Sequence, residues 1–469
     1  MRNITSIVKS IRDIMRKDAG LDGDAQRISQ LVWMLFMKIF SDKENEWQKT
    51  IDDYISPIPS ELKWENWVVK NKLSGDELIL FINDKLFPTL KEIEGESKRF
   101  EIVRSVFEDT FNFMKNGNLF RQVVDEINTI NFSGDKHTFN EIYETILKEL
   151  QNAGSSGEFY TPRAVTQFIV DMIQPKLGET ILDPACGTGG FLTCSIDYIV
   201  KKDITNDESA ILNKAIRGVE KKSLPHLLCT TNLMLHGLDE PSVVRGNMLN
   251  KPYDSWKNDT LVDIVLSNPP FGGIEEEEVD KNFPKDFQTK ETADLFLALI
   301  IKILKKKGRA GVVLPDGILF GNGVKTRIKE QLLETCNLHT IIRLPGGVFN
   351  PYTAIKTNIL FFEKGKKTKD IWYYEMPLPE GIKSFNRSRP IEINHFDDIK
   401  TWWVNRKENE YAWKISMKEI QQRNFDLDIK NPSTQESTST YSSKELIELI
   451  EESFSRSQKL IEELKASLL

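Results

Sequence analysis

Cysteine is scarce in this chain of 469 residues: Cys186, Cys194, Cys229 and Cys336 are all there is, and no two stand as a CxxC pair. With only five histidines, this leaves no His/Cys cluster at zinc spacing, so no metal site is expected. Few unpaired cysteines suit a reducing cytosol. A net positive charge is lacking as well, the formal net charge being −7. Chains that grip nucleic acid unaided carry basic surfaces, because phosphate contacts supply most of the affinity. Any such grip here would have to come largely from another chain. Near the N-terminus the longest apolar run is 31–37, closed by Lys38. A membrane-spanning helix needs roughly 20 such residues, so the run reads as a buried helix. Residues 1–17 alternate charged and apolar side chains without the apolar stretch of a secretory leader. A cytoplasmic location and no membrane contact are expected. No GxxxxGK[ST] phosphate loop and no nuclease signature is found.

What is present divides into three parts. Residues 1–150 carry a helical pattern. Ile4, Val8, Ile11 and Ile14 recur at three- and four-residue spacing, which puts them on one helix face. A second helix is expected over 24–40, and weaker repeats of the pattern lie at 78–90, 102–114 and 139–150. After Gly154-Ser155-Ser156-Gly157, a candidate hinge, the pattern changes. Short apolar runs at 180–182, 215–219, 243–245, 263–266, 310–314, 340–343 and 358–363 alternate with helical stretches that include 190–200, 224–236, 293–304 and 325–336. Such alternation predicts an α/β fold with a mostly parallel, doubly wound sheet over 151–430, with ligands beyond the carboxyl ends of its strands. Residues 366–430 read as less regular and rich in aromatics. Residues 431–469 are a polar linker and one amphipathic helix from 444 to about 468. That helix either docks on a partner chain or packs on its own N-terminal domain.

The segment Leu182-Asp183-Pro184-Ala185-Cys186-Gly187-Thr188-Gly189-Gly190-Phe191 follows a predicted strand and opens a helix. Its glycines allow a tight turn and close backbone approach to a ligand. It lacks the GxGxxG spacing of a dinucleotide loop, and the leading Asp183 would repel a pyrophosphate. A carboxylate there suits the ammonium group of S-adenosylmethionine (SAM) instead. Asp183, Ala185, Gly187, Thr188 and Gly189 are thus candidate cofactor contacts. Glu220, at the end of the next strand, can accept hydrogen bonds from ribose hydroxyls, or it is an exposed helix-start carboxylate. Asn247 follows the third strand and either reaches the cofactor's adenine or is a plain turn residue.

The sharpest signal is Asn268-Pro269-Pro270-Phe271 at the end of the buried run 263–267. The exocyclic amine of adenine is a poor nucleophile because its lone pair is delocalised into the ring. The Asn268 side-chain oxygen and the Pro269 carbonyl can accept its two hydrogens. That draws the nitrogen toward tetrahedral geometry and frees its lone pair to attack a methyl group held in line. Pro270 helps fix the backbone, and Phe271 can stack on the base. A base in a duplex reaches such a pocket only by flipping out, at roughly a few kcal/mol. The acidic run Glu275-Glu276-Glu277-Glu278 just beyond reads as a solvated loop.

The DPACGTGG and NPPF pair resembles the amino-methyltransferases of DNA, and its order in the chain resembles their gamma class. Glu158-Phe159-Tyr160-Thr161 is similar to the cofactor segment ahead of the sheet in methylation subunits of type I restriction–modification systems, which implies cofactor contacts by all four. Phe159 and Thr161 would lie at the methionine end. The opening IVKSIRDIMRKDAGLDGDAQRISQLVWMLFMKIF, Leu344-Pro345-Gly346-Gly347-Val348-Phe349 and Tyr352-Thr353-Ala354-Ile355-Lys356-Thr357-Asn358 resemble the same subunits. Many adenine methyltransferases have an acid where Asn247 stands, whereas type I subunits often have asparagine. The resemblance implies N6-adenine methylation of double-stranded DNA through a flipped base, with SAM as donor. It implies two kinds of partner. One is a type I specificity subunit that chooses the site, clamped between a pair of methylation subunits. The other is an ATP-dependent restriction subunit that joins the same complex. Rival readings are methylation of protein glutamine, RNA or cytosine N4, an enzyme that reads its own sequence, and a non-catalytic scaffold.

Overall fold

The computed structural model describes residues 4–130, 132, 160–201, 205–433 and 443–467. The expected helix at 139–150, the Gly154–Gly157 stretch, Glu158 and Phe159 lie outside the described residues.

The N-terminal part is helical, as its periodicity predicts. Helix Ile4–Met15 buries Val8 and Ile11. Helix Gly23–Thr50 buries every residue of the apolar run 31–37. Trp33 is fully enclosed, with the Phe87 ring edge-on at 5.0 Å and Phe120 at 6.0 Å. Helix Gly117–Asn128 begins where the Asn116 side chain accepts from the amides of Asn118 and Leu119, satisfying donors that a helix start leaves bare. The stretch 102–114 is helical only to Phe107.

The rest of this unit is built on nine strands: β1 (Ile181–Asp183), β2 (Ile216–Glu220), β3 (Ser242–Arg245), β4 (Val262–Ser267), β5 (Leu304–Pro315), β6 (Cys336–Arg343), β7 (Thr357–Lys364), β8 (Asp370–Glu375) and β9 (Ala412–Ser416). Their order is β3-β2-β1-β4-β5-β7-β6-β8-β9. Pairing is parallel from β3 through β5 and between β6 and β8, and antiparallel on both sides of β7 and at β9. The doubly wound sheet is as expected. Region 366–430 is more regular than expected, because β8 and β9 extend the sheet and helix Asp397–Val404 lies between them in the chain. These strands are short and their pattern is aromatic rather than alternating. Tyr373 stacks on Trp413 at 5.3 Å across the β8–β9 pair, and Trp372 meets Trp402 edge-on.

Successive side chains of a strand point to opposite faces, so each central strand feeds two cores. Leu182, Val265 and Leu314 go to one, and Ile181, Ile264 and Val313 to the other. β1 pairs with β2 on one side and β4 on the other. The chain order reverses there, and a crevice opens at the carboxyl ends of these strands. Helix Ser223–Leu235 joins the layers: Leu227, Leu228 and Met234 belong to the helical core, while Cys229 and Leu233 belong to the sheet's. Arg99 to Glu240 at 3.1 Å and Lys43 to Asp239 at 3.3 Å tie the layers by charge.

This compact unit runs to Ile429, and a second is Lys430–Leu469. Within the second, helix Ser443–Ser467 matches the expected helix to one residue, and its Ile447, Ile450, Phe454, Leu460 and Ile461 are exposed. No helix among the described residues is long and apolar enough to cross a membrane.

Candidate active site

Register decides what converges. Leu182 pairs with Val265, so the tips of β1 and β4 lie side by side, and from one residue beyond that register the Ser267 hydroxyl donates to Asp183 Oδ1 at 2.8 Å. The Ala185 amide donates to the same oxygen at 3.1 Å. Asp183 is 2% exposed. Burial pushes its carboxyl up to about 7, the two hydrogen bonds oppose the rise, and the charge of Glu220 adds to it. Glu220, at the tip of β2, accepts from the Gly187 amide at 2.9 Å and the Lys222 amide at 2.7 Å. Burial raises its pKa, and those amides counter the rise. It is therefore a buried wall residue, not an exposed helix-start carboxylate.

The glycine loop runs from β1 into helix Gly190–Ile199. Gly189 has φ 85°, and a Cβ there would lie 2.8 Å from Cys229 Sγ. Backbone handedness and space both require glycine. Gly189→Ala should lower the melting temperature by several degrees and weaken binding of any ligand that the loop holds by about tenfold or more, as scanning calorimetry and titration calorimetry would measure. A binding constant equal to wild type would count against this loop as a ligand contact. The loop is backed by Asn232, fully buried, whose Nδ2 donates to the Thr188 carbonyl at 3.2 Å.

Asn268 follows β4. Its Nδ2 donates to Thr161 Oγ1 at 2.9 Å. That fixes the amide and leaves Oδ1 buried with no partner among the described residues. A buried, unpaired acceptor costs roughly 1–3 kcal/mol, which a ligand's N–H would recover. Phe271 meets Phe349 edge-on at 5.8 Å, making two aromatic walls, and Tyr352 Oη is another buried atom without a partner among the described residues.

One cavity of about 480 Å³ collects these groups, within the usual range for a ligand site. Of the expected residues, Tyr160, Thr161, Asp183, Ala185, Gly187, Thr188, Glu220, Asn268, Pro269, Pro270 and Phe271 line it, whereas Gly189 and Asn247 do not. Sequence reasoning passed over Ser267, Phe349, Tyr352 and Thr292. Phe349 and Tyr352 stood in segments noted for resemblance, but nothing in them marked a role. The acidic run is not uniformly solvated. Glu276 and Glu278 are exposed and pair with Lys221 and Lys281, but Glu275 points inward onto Asn247 and Thr292. No three His, Cys, Asp or Glu side chains are grouped to hold a metal among the described residues.

A doubly wound sheet whose central strand tips bear a glycine loop and an NPPF turn in one cavity defines an amino-directed methyltransferase. Residues 134–440 match the N-6 DNA Methylase family model, and residues 4–127 match the HsdM N-terminal domain. The EcoEI type I restriction enzyme methylase subunit of Escherichia coli is 54% identical over 92% of this chain and 90% of its own length. The EcoKI methylase subunit of E. coli K12 is 28% identical over 80% and 71%. A crystal structure of a modification subunit assigned to a type I restriction enzyme from Vibrio vulnificus aligns with TM-score 0.83 at 42% identity, covering 92% of this chain and 97% of that one. A structure describing complex assembly of the type I restriction–modification system aligns with TM-score 0.83 at 34% identity, over 100% and 98%. The chain belongs to the family of type I restriction enzyme methylase subunits.

Proposed function

We propose that this chain transfers a methyl group from SAM to the N6 amine of a flipped adenine in double-stranded DNA. It does so in the cytoplasm, as the methylation subunit of a complex whose specificity subunit selects the site and whose restriction subunit cuts unmodified DNA. The observation that carries the reading is Asn268 Oδ1, a buried acceptor with no partner among the described residues, on the wall of the cavity that holds the glycine loop. Such an atom calls for a donor, and an amine is one.

The residues fit SAM. When bound, SAM supplies a methyl group activated by its positively charged sulfur. Asp183 would hold the ammonium, with Thr161 nearby, and Glu220 the ribose hydroxyls. Each Glu220 oxygen accepts one backbone amide and keeps a lone pair in reserve. Asn268 Oδ1 and the Pro269 carbonyl would accept hydrogen bonds from the two hydrogens of the adenine amine, which favours tetrahedral nitrogen and localises its lone pair, so the nitrogen gains nucleophilic character before any proton leaves. Phe271 and Phe349 would hold the base and exclude water. The catalytic role of this wall, and the division at about 150 and 430 into helical, catalytic and docking parts, belong to the same proposal. The exposed apolar side chains of helix Ser443–Ser467 suit that last part for contact with the specificity subunit.

The test is the N6-methyladenine map of cells carrying this locus, read by single-molecule sequencing and compared with cells lacking this chain alone. The expected result is a two-part DNA motif methylated in the first and bare in the second. Identical maps would overturn the assignment.

A further inference from the structure

Three carboxylates line the cavity, Asp183, Glu220 and Glu275, and the proposed function employs two. We propose that Glu275 recognises the adenine of SAM by accepting a hydrogen bond from its exocyclic amine, and that Asn247 positions Glu275 without touching the cofactor. The inference rests on reading the cavity as the SAM site. Asp183 stands at the tip of β1 and Glu220 at the tip of β2, its neighbour on the side leading to β3. A nucleoside anchored by its amino-acid end at the first and its ribose at the second brings its base toward the tip of β3. Asn247 is there but not on the wall. Its Oδ1 accepts from the Leu249 amide at 3.0 Å, and its Nδ2 donates to Glu275 Oε2 at 2.9 Å. Both ends of its amide are engaged.

Glu275 comes over this end from the loop after Phe271. The loop is pinned where the Glu275 amide donates to the Lys290 carbonyl at 3.1 Å and the Thr292 amide to the Gly273 carbonyl at 3.1 Å. The Glu275 side chain is only 10% exposed. Thr292 Oγ1 donates to its Oε1 at 3.0 Å, and Lys221 Nζ stands 3.9 Å away. A carboxylate accepts at about four lone-pair positions and donates at none, so one bond to each oxygen fixes it and leaves acceptors toward the cavity. A 6-amino purine offers a donor there. A 6-oxo purine offers a carbonyl oxygen and is repelled, which is how a buried polar group discriminates.

The experiment is titration calorimetry of the full chain with S-adenosylhomocysteine and with S-inosylhomocysteine, its 6-oxo analogue. Wild type should prefer the adenosyl form by about tenfold or more. In Glu275→Gln the side chain can present either its oxygen or its NH2, and the preference should shrink to about threefold or less. Thr292→Val keeps the carboxylate but removes one anchor, and its preference should fall between the two. Melting curves establish that each variant is folded. An undiminished preference in both variants overturns the role of Glu275 and leaves the cofactor site standing. A wild-type chain that binds neither compound removes the cofactor reading itself.

Discussion

Asn268→Ala should lower kcat for DNA methylation by on the order of 10²–10³-fold or more, the usual loss when one positioned hydrogen-bonding group is removed from a reacting centre. The affinity for SAM should stay within about threefold of wild type, because Asp183, Glu220 and Glu275 are untouched. The split follows from the geometry. Thr161 Oγ1 takes the Asn268 amide hydrogen, so Oδ1 has one orientation. An acceptor that is already oriented and desolvated needs no reorganisation when the amine arrives. The measurement is transfer of labelled methyl groups to DNA by the chain assembled with its specificity subunit, alongside calorimetric SAM binding. Equal loss of both quantities would mean that Asn268 supports the cofactor rather than the base. Thr161→Val supplies a control: the amide is freed to rotate, and kcat should fall less steeply than in Asn268→Ala.

The second large effect concerns Asp183 and pH. Its folded carboxyl sits at about 7 against an ordinary 3.8, chiefly through burial. At low pH it is neutral in both the folded and unfolded chain. Between about 4 and 7 the unfolded chain ionises and the folded chain resists, so this group's contribution to stability falls as pH rises through that window. The SAM ammonium selects the ionised form, so affinity should run the opposite way, weakening by up to about tenfold per unit as pH drops below 7. Binding near neutrality should release a proton, visible as a calorimetric heat that depends on the buffer's ionisation enthalpy. Asp183→Asn should raise the melting temperature of the free chain at pH 8 and abolish most SAM binding, two changes of opposite sign. A flat affinity from pH 6 to 8 in wild type would sink the assignment of the ammonium to Asp183.

Much of this was legible in the sequence for a local reason. Each motif closes within about ten residues of one strand–turn unit, and the turn chemistry is written where the turn is made. Asp183, the glycine loop, Glu220 and the Asn268 turn each follow a strand whose apolar run announces it. The partners of these groups were hidden, because they come from far along the chain. Ser267 meets Asp183 across 84 residues and Thr161 meets Asn268 across 107, and no spacing rule links them. Glu275 was misread for the opposite reason. A run of four acids looks solvated as a block, while the chain turns only its first member inward. β8 and β9 were missed because the ring contact between them, Tyr373 on Trp413, joins residues forty apart in the chain, and a short aromatic stretch carries no period.

Helix Ser223–Leu235 belongs to the helical core and to one of the sheet's two cores, so the N-terminal helices are not an accessory that can be cut away. A fragment beginning at 160 would bare Leu227, Leu228 and Met234 to water. The same helix carries the Asn232 side chain that props the glycine loop. Melting of one layer therefore strips the other of its footing, and the unit ending at Ile429 should unfold as a single cooperative block. A ligand gripping the strand tips would then protect the remote helices from proteolysis to the same degree as the loop it touches.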